Sequence, residues 1–419
     1  MTPHKGDRRR GLSSALRTRA ELDRSASGPW RVVLGVCAWL VLATGVAVAQ
    51  PAPLSAEARE RIPHEAEAPF VDVLTFGVGD VIFERWGHTA ICLRYHEPEH
   101  SSVCFNYGVT DFADTSGLVW RFVRGNQEFW SEPSRADVLT WFYREEDRNI
   151  WIQTLMINEA QARAIETRLW KDVDEDNRGY IYDHFTDNCT TRIRDVIDDA
   201  TGGALRKNSG VIYPLTLRQL GAPGLEETPL LLGATDFLLG RTMDAPLTIW
   251  EAMFHPDVLR KQIETELGVA PRVENAQQVA RPVYGGPSGR VIWFGIALLV
   301  TALLALGVWK ARVARAALIV ASLYLGLWGL IVYVAVIVST IPALRWNEVM
   351  CVLVPLDLMI PWLSHERRVL YARVRIVGLL MVSALCALGV LHQPLWIPIL
   401  TAIMPLSLVG LFGFGERSR

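Results

Sequence analysis

Asp187-Asn188-Cys189-Thr190-Thr191-Arg192 stands where an acidic, aromatic loop (Tyr180, Tyr182, Phe185, Asp187) gives way to a helical pattern, Cys189 to Ala200, closed by Gly202-Gly203. A thiol at a helix start feels the positive end of the macrodipole and nearby free N–H groups, both of which favour thiolate. Earlier in the chain, Trp86-Gly87-His88-Thr89-Ala90-Ile91-Cys92-Leu93-Arg94-Tyr95 alternates as a strand does and predicts a rigid mount for the His88 imidazole. A thiol beside a base is the apparatus of acyl chemistry through a thioester, so Cys189 and His88 are the candidate catalytic pair.

Working outward, Gly87 to Tyr95 and Ser102 to Gly108 read as a hairpin centred near Pro98. In that register Cys92 faces Cys104, and directly opposed Cα atoms lie about 4.5–5.5 Å apart, within a disulfide's reach. Two readings stand, a bridge or two buried thiols. The alternating run Phe70 to Phe76, ended by Gly77 and Gly79, predicts a strand, and Asn158 with Gln161 predicts a capping box opening a helix over Ala160 to Asp172. Further helix is expected around Phe237 to Leu239 and Leu247 to Phe254. Residues 70–271 thus read as one α+β domain of roughly 200 residues, enough for its own core.

Half of the 419 residues (50%) are hydrophobic, and their distribution is uneven. Arginines at 8–10, 17, 19, 24 and 31 precede an uncharged run, Val32 to Ala49, with Ala47-Val48-Ala49 at its end. That is the pattern of a signal peptide or signal anchor over 30–49, behind a basic cytoplasmic tail (1–29) and ahead of a Pro-, Ala- and Glu-rich linker (50–69). Beyond a second linker, 272–290, the segment 291–415 carries five apolar runs: Val291 to Trp309, Ala316 to about Thr340, Val349 to Leu363, Ile376 to Leu391 and about Trp396 to Gly415. These predict a transmembrane bundle of about five helices, the third short and interrupted by Pro355 and Asp357. Basic residues cluster after the first and third runs (Lys310, Arg312, Arg315; Arg367, Arg368, Arg373, Arg375), while the loops between carry almost none. The positive-inside rule then puts residues 50–290 outside. Trp30, Trp293, Trp309, Trp346, Trp362 and Trp396 fall near the run ends, as interfacial anchors do.

Of six cysteines, Cys37, Cys351 and Cys386 lie in apolar runs, which leaves Cys92, Cys104 and Cys189 outside. An odd number means at least one unpaired thiol, and Cys189 is the remainder if the hairpin bridge forms. The net charge of −2 and the lack of a basic patch interleaved with aromatics argue against nucleic acid. Asp172 to Asp183 has the alternating carboxylates of a calcium loop, but Asn177 stands where such loops need Gly, so it reads as a solvated acidic turn. No His/Cys cluster has zinc spacing. No metal and no cofactor are expected.

Four segments resemble one family, that of the Lnb N-terminal periplasmic domain: Trp86 to Thr89, Phe105-Asn106-Tyr107-Gly108, Tyr182 to Asp195, and Leu239 to Thr248. The Asn-Cys element also looks like that of circularly permuted papain-like proteins, including lecithin:retinol acyltransferase relatives, in which the His strand precedes the Cys helix. The resemblance implies a permuted papain-like α+β domain fused to a C-terminal helical transmembrane bundle. It further implies a bacterial inner-membrane enzyme that moves an acyl chain, through an acyl-cysteine, to the N-terminal amine of lipoproteins; its partners would be membrane lipids and bacterial lipoproteins. Cys189 would be nucleophile and His88 base, with Asn188, Asp187, His184, Asn106 and Tyr107 as candidates for orienting the base or holding the oxyanion. Two rivals are a thiol hydrolase of phospholipid or cell-wall peptide and a non-catalytic membrane scaffold.

Overall fold

Alternation along Phe70–Phe76 (β1) sends Val71 and Val73 to one face and Leu74 and Phe76 to the other, and in the computed structural model all four are buried. The structure describes residues 66–97, 101–111, 115–281 and 289–414. The basic tail, the signal segment, most of the 50–69 linker and residues 282–288 lie outside the described residues, and the expected 272–290 linker is shorter than that, because Arg272–Asn275 pairs with Ile150–Thr154 as a strand of the domain.

The remaining strands are β2 (His88–Arg94), β3 (Val103–Val109), β4 (Glu128–Arg135), β5 (Ile150–Thr154), β6 (Gly179–Ile181), β7 (Ile212–Tyr213), β8 (Leu247–Thr248) and β9 (Arg272–Asn275). Seven form one antiparallel sheet in the order β6-β4-β3-β2-β1-β5-β9, and β7 pairs with β8 as a separate ribbon. The helices are α1 (Thr115–Arg124), α2 (Ala136–Glu145), α3 (Glu159–Asp172), α4 (Cys189–Ala200), α5 (Leu217–Gly221), α6 (Pro229–Leu238), α7 (Ile249–Ala252), α8 (Pro256–Leu267), α9 (Gly289–Trp309), α10 (Ala311–Val338), α11 (His365–Ala387) and α12 (Trp396–Phe412).

Both faces of the sheet are covered, which is why its central strands are apolar on both sides. Val71, Val73, Ile91, Leu93 and Phe105 pack against Ile165 and Leu169 of α3, Ile193 and Ile197 of α4, and Leu259 and Ile263 of α8. On the opposite face Leu74, Phe76, Ala90 and Ile150 pack with Leu139 and Tyr143 of α2, and Cys92 and Cys104 lie in the same cluster. Those two cysteines are directly paired in the β2–β3 register and form a disulfide. The strand expected from Trp86 begins only at His88, because Gly87 takes a left-handed φ of 80° that breaks the extended run. The α3 capping box is present, with Asn158 accepting from the Gln161 N–H and Gln161 accepting from the Asn158 N–H.

The C-terminal region departs from the expected five helices. Three helices are long and apolar enough to cross a membrane, α9, α10 and α11, and α12 is apolar but shorter. The third expected run is not α-helical: it forms two 3-10 pieces, Glu348–Cys351 and Pro355–Trp362, packed on α10. Pro355 and Pro361 supply no N–H, which removes the donors an α-helix there would use. Asp357 within it is fully buried and accepts from Arg375 (3.0 Å to each carboxylate oxygen) and from the Tyr371 hydroxyl (2.6 Å). A carboxylate in an apolar bundle is tolerated when it is paired and hydrogen-bonded in this way.

The other departure concerns α6. Its Ala234 and Phe237 belong to the core of the C-terminal helices, with Phe237 edge-on to Trp328 at 5.0 Å. Asn347 then donates to the carbonyls of Phe237 (2.9 Å) and Leu238 (2.7 Å), Gln393 to that of Leu239 (2.8 Å), and Arg290 binds the Asp236 carboxylate (2.7 Å). A Cβ on Gly240 would overlap the Arg345 carbonyl oxygen, so the two backbones meet only because glycine is there. A second contact joins α1 to the loop after α10, where Thr340 N–H (3.0 Å) and hydroxyl (2.8 Å) both donate to the Arg124 carbonyl. Asn347→Ala leaves two carbonyls at the α6 end without donors, and each unsatisfied buried group costs about 1–3 kcal/mol. Chemical unfolding of the detergent-solubilised protein should show a loss of about 2–4 kcal/mol; an unchanged midpoint would mean the docking does not depend on Asn347.

Candidate functional site

The β2–β3 ladder pairs Ile91, Cys92 and Leu93 with Phe105, Cys104 and Val103 and then stops. Past that point β3 shifts register on β4 between Tyr107 and Val109, with Gly108 at a φ of 131° that other residues rarely adopt. The gap so opened is where α4 begins. A Cβ built on Gly108 would lie 3.7 Å from His88 Cε1 and 3.9 Å from Cys189 Cβ, so this glycine forms the floor between base and thiol.

Cys189 is set by Asn188, the N-cap of α4. Asn188 Oδ1 accepts from the N–H groups of Thr190 and Thr191 (2.9 Å each), and its Nδ2 donates to the carbonyls of His184 (2.9 Å) and Phe254 (3.0 Å). Its own N–H bonds the Thr191 hydroxyl, closing a capping box. Such a cap stabilises a helix start by about 0.5–2 kcal/mol. Asn188 is therefore fully engaged in structure, and the first-turn N–H groups of Thr190 and Thr191 are engaged with it. The N–H of Cys189 itself has no acceptor among the described residues.

Cys189 and His88 line the same cavity, and the charge of each shifts the titration of the other. Asn106 Oδ1 lies 2.5 Å from His88 Nε2. A carbonyl oxygen can only accept, so Nε2 carries the proton and Nδ1 is left as the ring's acceptor, the tautomer a general base needs. Asn106 is thus the third member of the group. Burial pushes the Cys189 thiol up, but the His88 charge and hydrogen bond, the Thr89 N–H and the Thr190 hydroxyl outweigh it and bring the thiol down to about 7. Burial likewise pushes His88 down, and the charge and hydrogen bond of Cys189 with that of Asn106 outweigh it, raising the imidazole. Opposed shifts of this kind favour a thiolate–imidazolium pair.

The other candidate residues are placed differently. Asp187 forms a two-pronged ion pair with Arg192 (2.7 and 2.9 Å), whose guanidinium lies over the Tyr180 ring. Tyr107 points to α3 and donates to Asp172 at 2.8 Å. Neither is joined to His88. The Asp172 carboxylate is shared by Tyr107 and Arg168, while Asp183 accepts from the N–H groups of Phe185 and Thr186, so the acidic turn is used internally. Among the described residues no three His, Cys, Asp or Glu side chains gather as a metal would require.

His184 does line the cavity that holds the dyad, a space of ≈ 80 Å³ walled by Phe83, Trp86, Phe129, Tyr182 and Phe254, with Thr190 and Asn188 beside Cys189. Three of the aromatic walls carry no sequence signal, because Phe83, Phe129 and Phe254 come from separate parts of the chain with no shared motif. Tyr182, two residues before His184, belongs to the aromatic loop that precedes Cys189.

With a thiol near 7, alkylation of Cys189 by iodoacetamide should rise through about pH 7 and level off above it, because the thiolate reacts. In His88→Ala burial loses its largest counterweight, with only the Thr89 N–H and Thr190 hydroxyl left against it, and the midpoint should move up from about 7. An unmoved midpoint would remove His88 from the pair. Asn106→Ala should release the tautomer and lower acylation at Cys189 by about 10–100-fold, as loss of an orienting partner does; a rate within twofold of wild type would deny Asn106 that role.

Residues 67–222, which hold β1 to β6 and all of Cys189, His88 and Asn106, match the family of the Lnb N-terminal periplasmic domain. No curated protein and no solved structure matches the chain.

Proposed function

We propose that this chain, whose residues 67–222 form an Lnb N-terminal periplasmic domain, is a membrane-bound thiol acyltransferase that moves an ester-linked acyl chain to the N-terminal amine of bacterial lipoproteins. In this reading the domain is permuted papain-like, faces the periplasm and is held at the inner membrane by its C-terminal helices. The observation that carries it is the shared cavity of Cys189 and His88, walled by aromatic rings, with His88 hydrogen-bonded to Asn106 and the thiol brought down to about 7.

The chemistry follows from that arrangement. The Cys189 thiolate attacks the ester carbonyl carbon; the carbonyl electron pair moves to oxygen and is held by the Cys189 N–H. Collapse of this intermediate breaks the bond to the alcohol oxygen, which takes the proton from His88, and the acyl group remains on sulfur as a thioester. An incoming amine then attacks the thioester, gives its proton to His88 Nδ1, and expels the thiolate, leaving an amide. The amine must outcompete water at the thioester, and Phe83, Trp86, Phe129, Tyr182 and Phe254 give the space around the sulfur largely apolar walls. The α6 docking supports the same reading. Both substrates are lipid-embedded, and a catalytic domain whose α6 is packed into the C-terminal helices is carried beside them.

The test is tandem mass spectrometry of a diacylated lipopeptide with a free N-terminal amine, incubated with the detergent-purified protein and with Cys189→Ala. An N-terminal amide formed by the wild type and absent with the variant is the expected result. Free fatty acid alone would make the protein a thiol hydrolase, and an amide formed equally by Cys189→Ala would end the acyl-cysteine mechanism.

A further inference from the structure

A tetrahedral oxyanion is held well by two donors, and the helix start offers one. Thr190 and Thr191 give their N–H groups to Asn188, and the Thr190 hydroxyl sits 3.2 Å from that of Thr89 and 3.7 Å from the sulfur. Only the Cys189 N–H is left. Among the described residues, several buried side-chain nitrogen and oxygen atoms lack a partner, and His184 Nε2 is the one that belongs to a residue lining the Cys189 cavity. Buried polar atoms are nearly always satisfied, so an orphan beside a nucleophile calls for a reason.

We propose that His184 is a catalytic residue of this site, its Nε2–H donating to the oxyanion opposite the Cys189 N–H. The inference rests on the acyl-cysteine reading above. It depends on which nitrogen of His184 holds the proton, and Tyr182 decides that. The Tyr182 hydroxyl lies 3.1 Å from His184 Nδ1 and has no other partner among the described residues. If the hydroxyl donates to Nδ1, the proton of His184 is on Nε2 and only that N–H lacks a partner. If Nδ1 donates instead, both the tyrosine O–H and the Nε2 lone pair are orphaned. The first arrangement leaves one unsatisfied group rather than two, and each costs about 1–3 kcal/mol.

The surroundings suit a neutral donor. Burial, helped by His255 and opposed by the Asp183 charge, holds His184 at about 4, so the ring is uncharged at neutral pH. Burial and the negative charge of Cys189 push Tyr182 well above its usual value, so its hydroxyl keeps its proton. Trp86 at 4.6 Å, Phe185 at 4.9 Å and Phe254 at 5.7 Å stand edge-on around the imidazole and fix it. The Asn188 amide that sets Cys189 also binds the His184 carbonyl, tying the two positions together.

Two reactions of the same sulfur separate this role from a structural one. Alkylation by iodoacetamide needs the thiolate and forms no oxyanion; acylation by p-nitrophenyl octanoate needs both. Each would be followed on the Cys189 peptide by mass in the full detergent-purified chain. His184→Ala should be acylated about 10²–10³-fold more slowly, the usual loss for one oxyanion donor, with its alkylation rate and pH profile as in wild type. His184→Gln, whose amide nitrogen stands near the place of Nε2, should recover part of the acylation. Acylation of His184→Ala at the wild-type rate overturns the proposal and leaves the Cys189–His88 reading intact. Alkylation and acylation lost together in both variants overturns it too, assigning His184 to the support of Cys189. A wild-type protein that is alkylated at Cys189 but never acylated overturns the acyl-cysteine reading and the role of His184 with it.

Discussion

Four hydrogen bonds of the Asn188 carboxamide determine where Cys189 can be. Two of them start α4, and two hold the carbonyls of His184 and Phe254, so one side chain joins the helix, the aromatic loop and the segment before α8. Each bond alone is modest, about 0.5–1.5 kcal/mol net. Their effect is geometric: the helix start, the His184 loop and the Phe254 wall cannot move independently. The residue next to Cys189 acts as a clamp, and its carboxamide is used up in holding the site together.

The clamp is useful because the sheet provides a gap to clamp into. The β2–β3 ladder ends after three residue pairs, and the irregularity at Gly108 turns β3 aside. The strand ends thereby present His88 and Asn106 to the thiol. On the membrane side a second set of constraints governs: α6 takes its packing from the C-terminal helices, and Gly240, Asn347 and Gln393 lock its exit to them.

Local signals in the sequence were legible where one residue type has one physical use. The helix over Cys189 to Ala200, the capping box at Asn158 and the opposition of Cys92 and Cys104 all depend on near neighbours or a single hairpin register. The identity of the base's partner did not. Asn106, Tyr107, Asp187 and His184 stood equal by spacing, and what separates them is the bulge at Gly108, the ion pair to Arg192 and the bond to Asp172. None of these is a sequence pattern. Hydropathy was similarly limited: Val349 to Leu363 is apolar enough to suggest a span, but its prolines and the Asp357–Arg375 pair give it a 3-10 course. In α6 the apolar Leu230 to Gly233 stretch gave no sign of which core would receive it.

The disulfide sits in the hairpin that carries both ends of the His88–Asn106 bond, with Cys92 on the strand of the base and Cys104 on the strand of its partner. Cross-linking those strands a few residues from the bond limits how far they can shear. Disulfides persist in oxidising compartments and are scarce in reducing ones. The bridge therefore suits a periplasmic domain, and there the two strands that carry His88 and Asn106 are tied covalently as well as by their ladder hydrogen bonds.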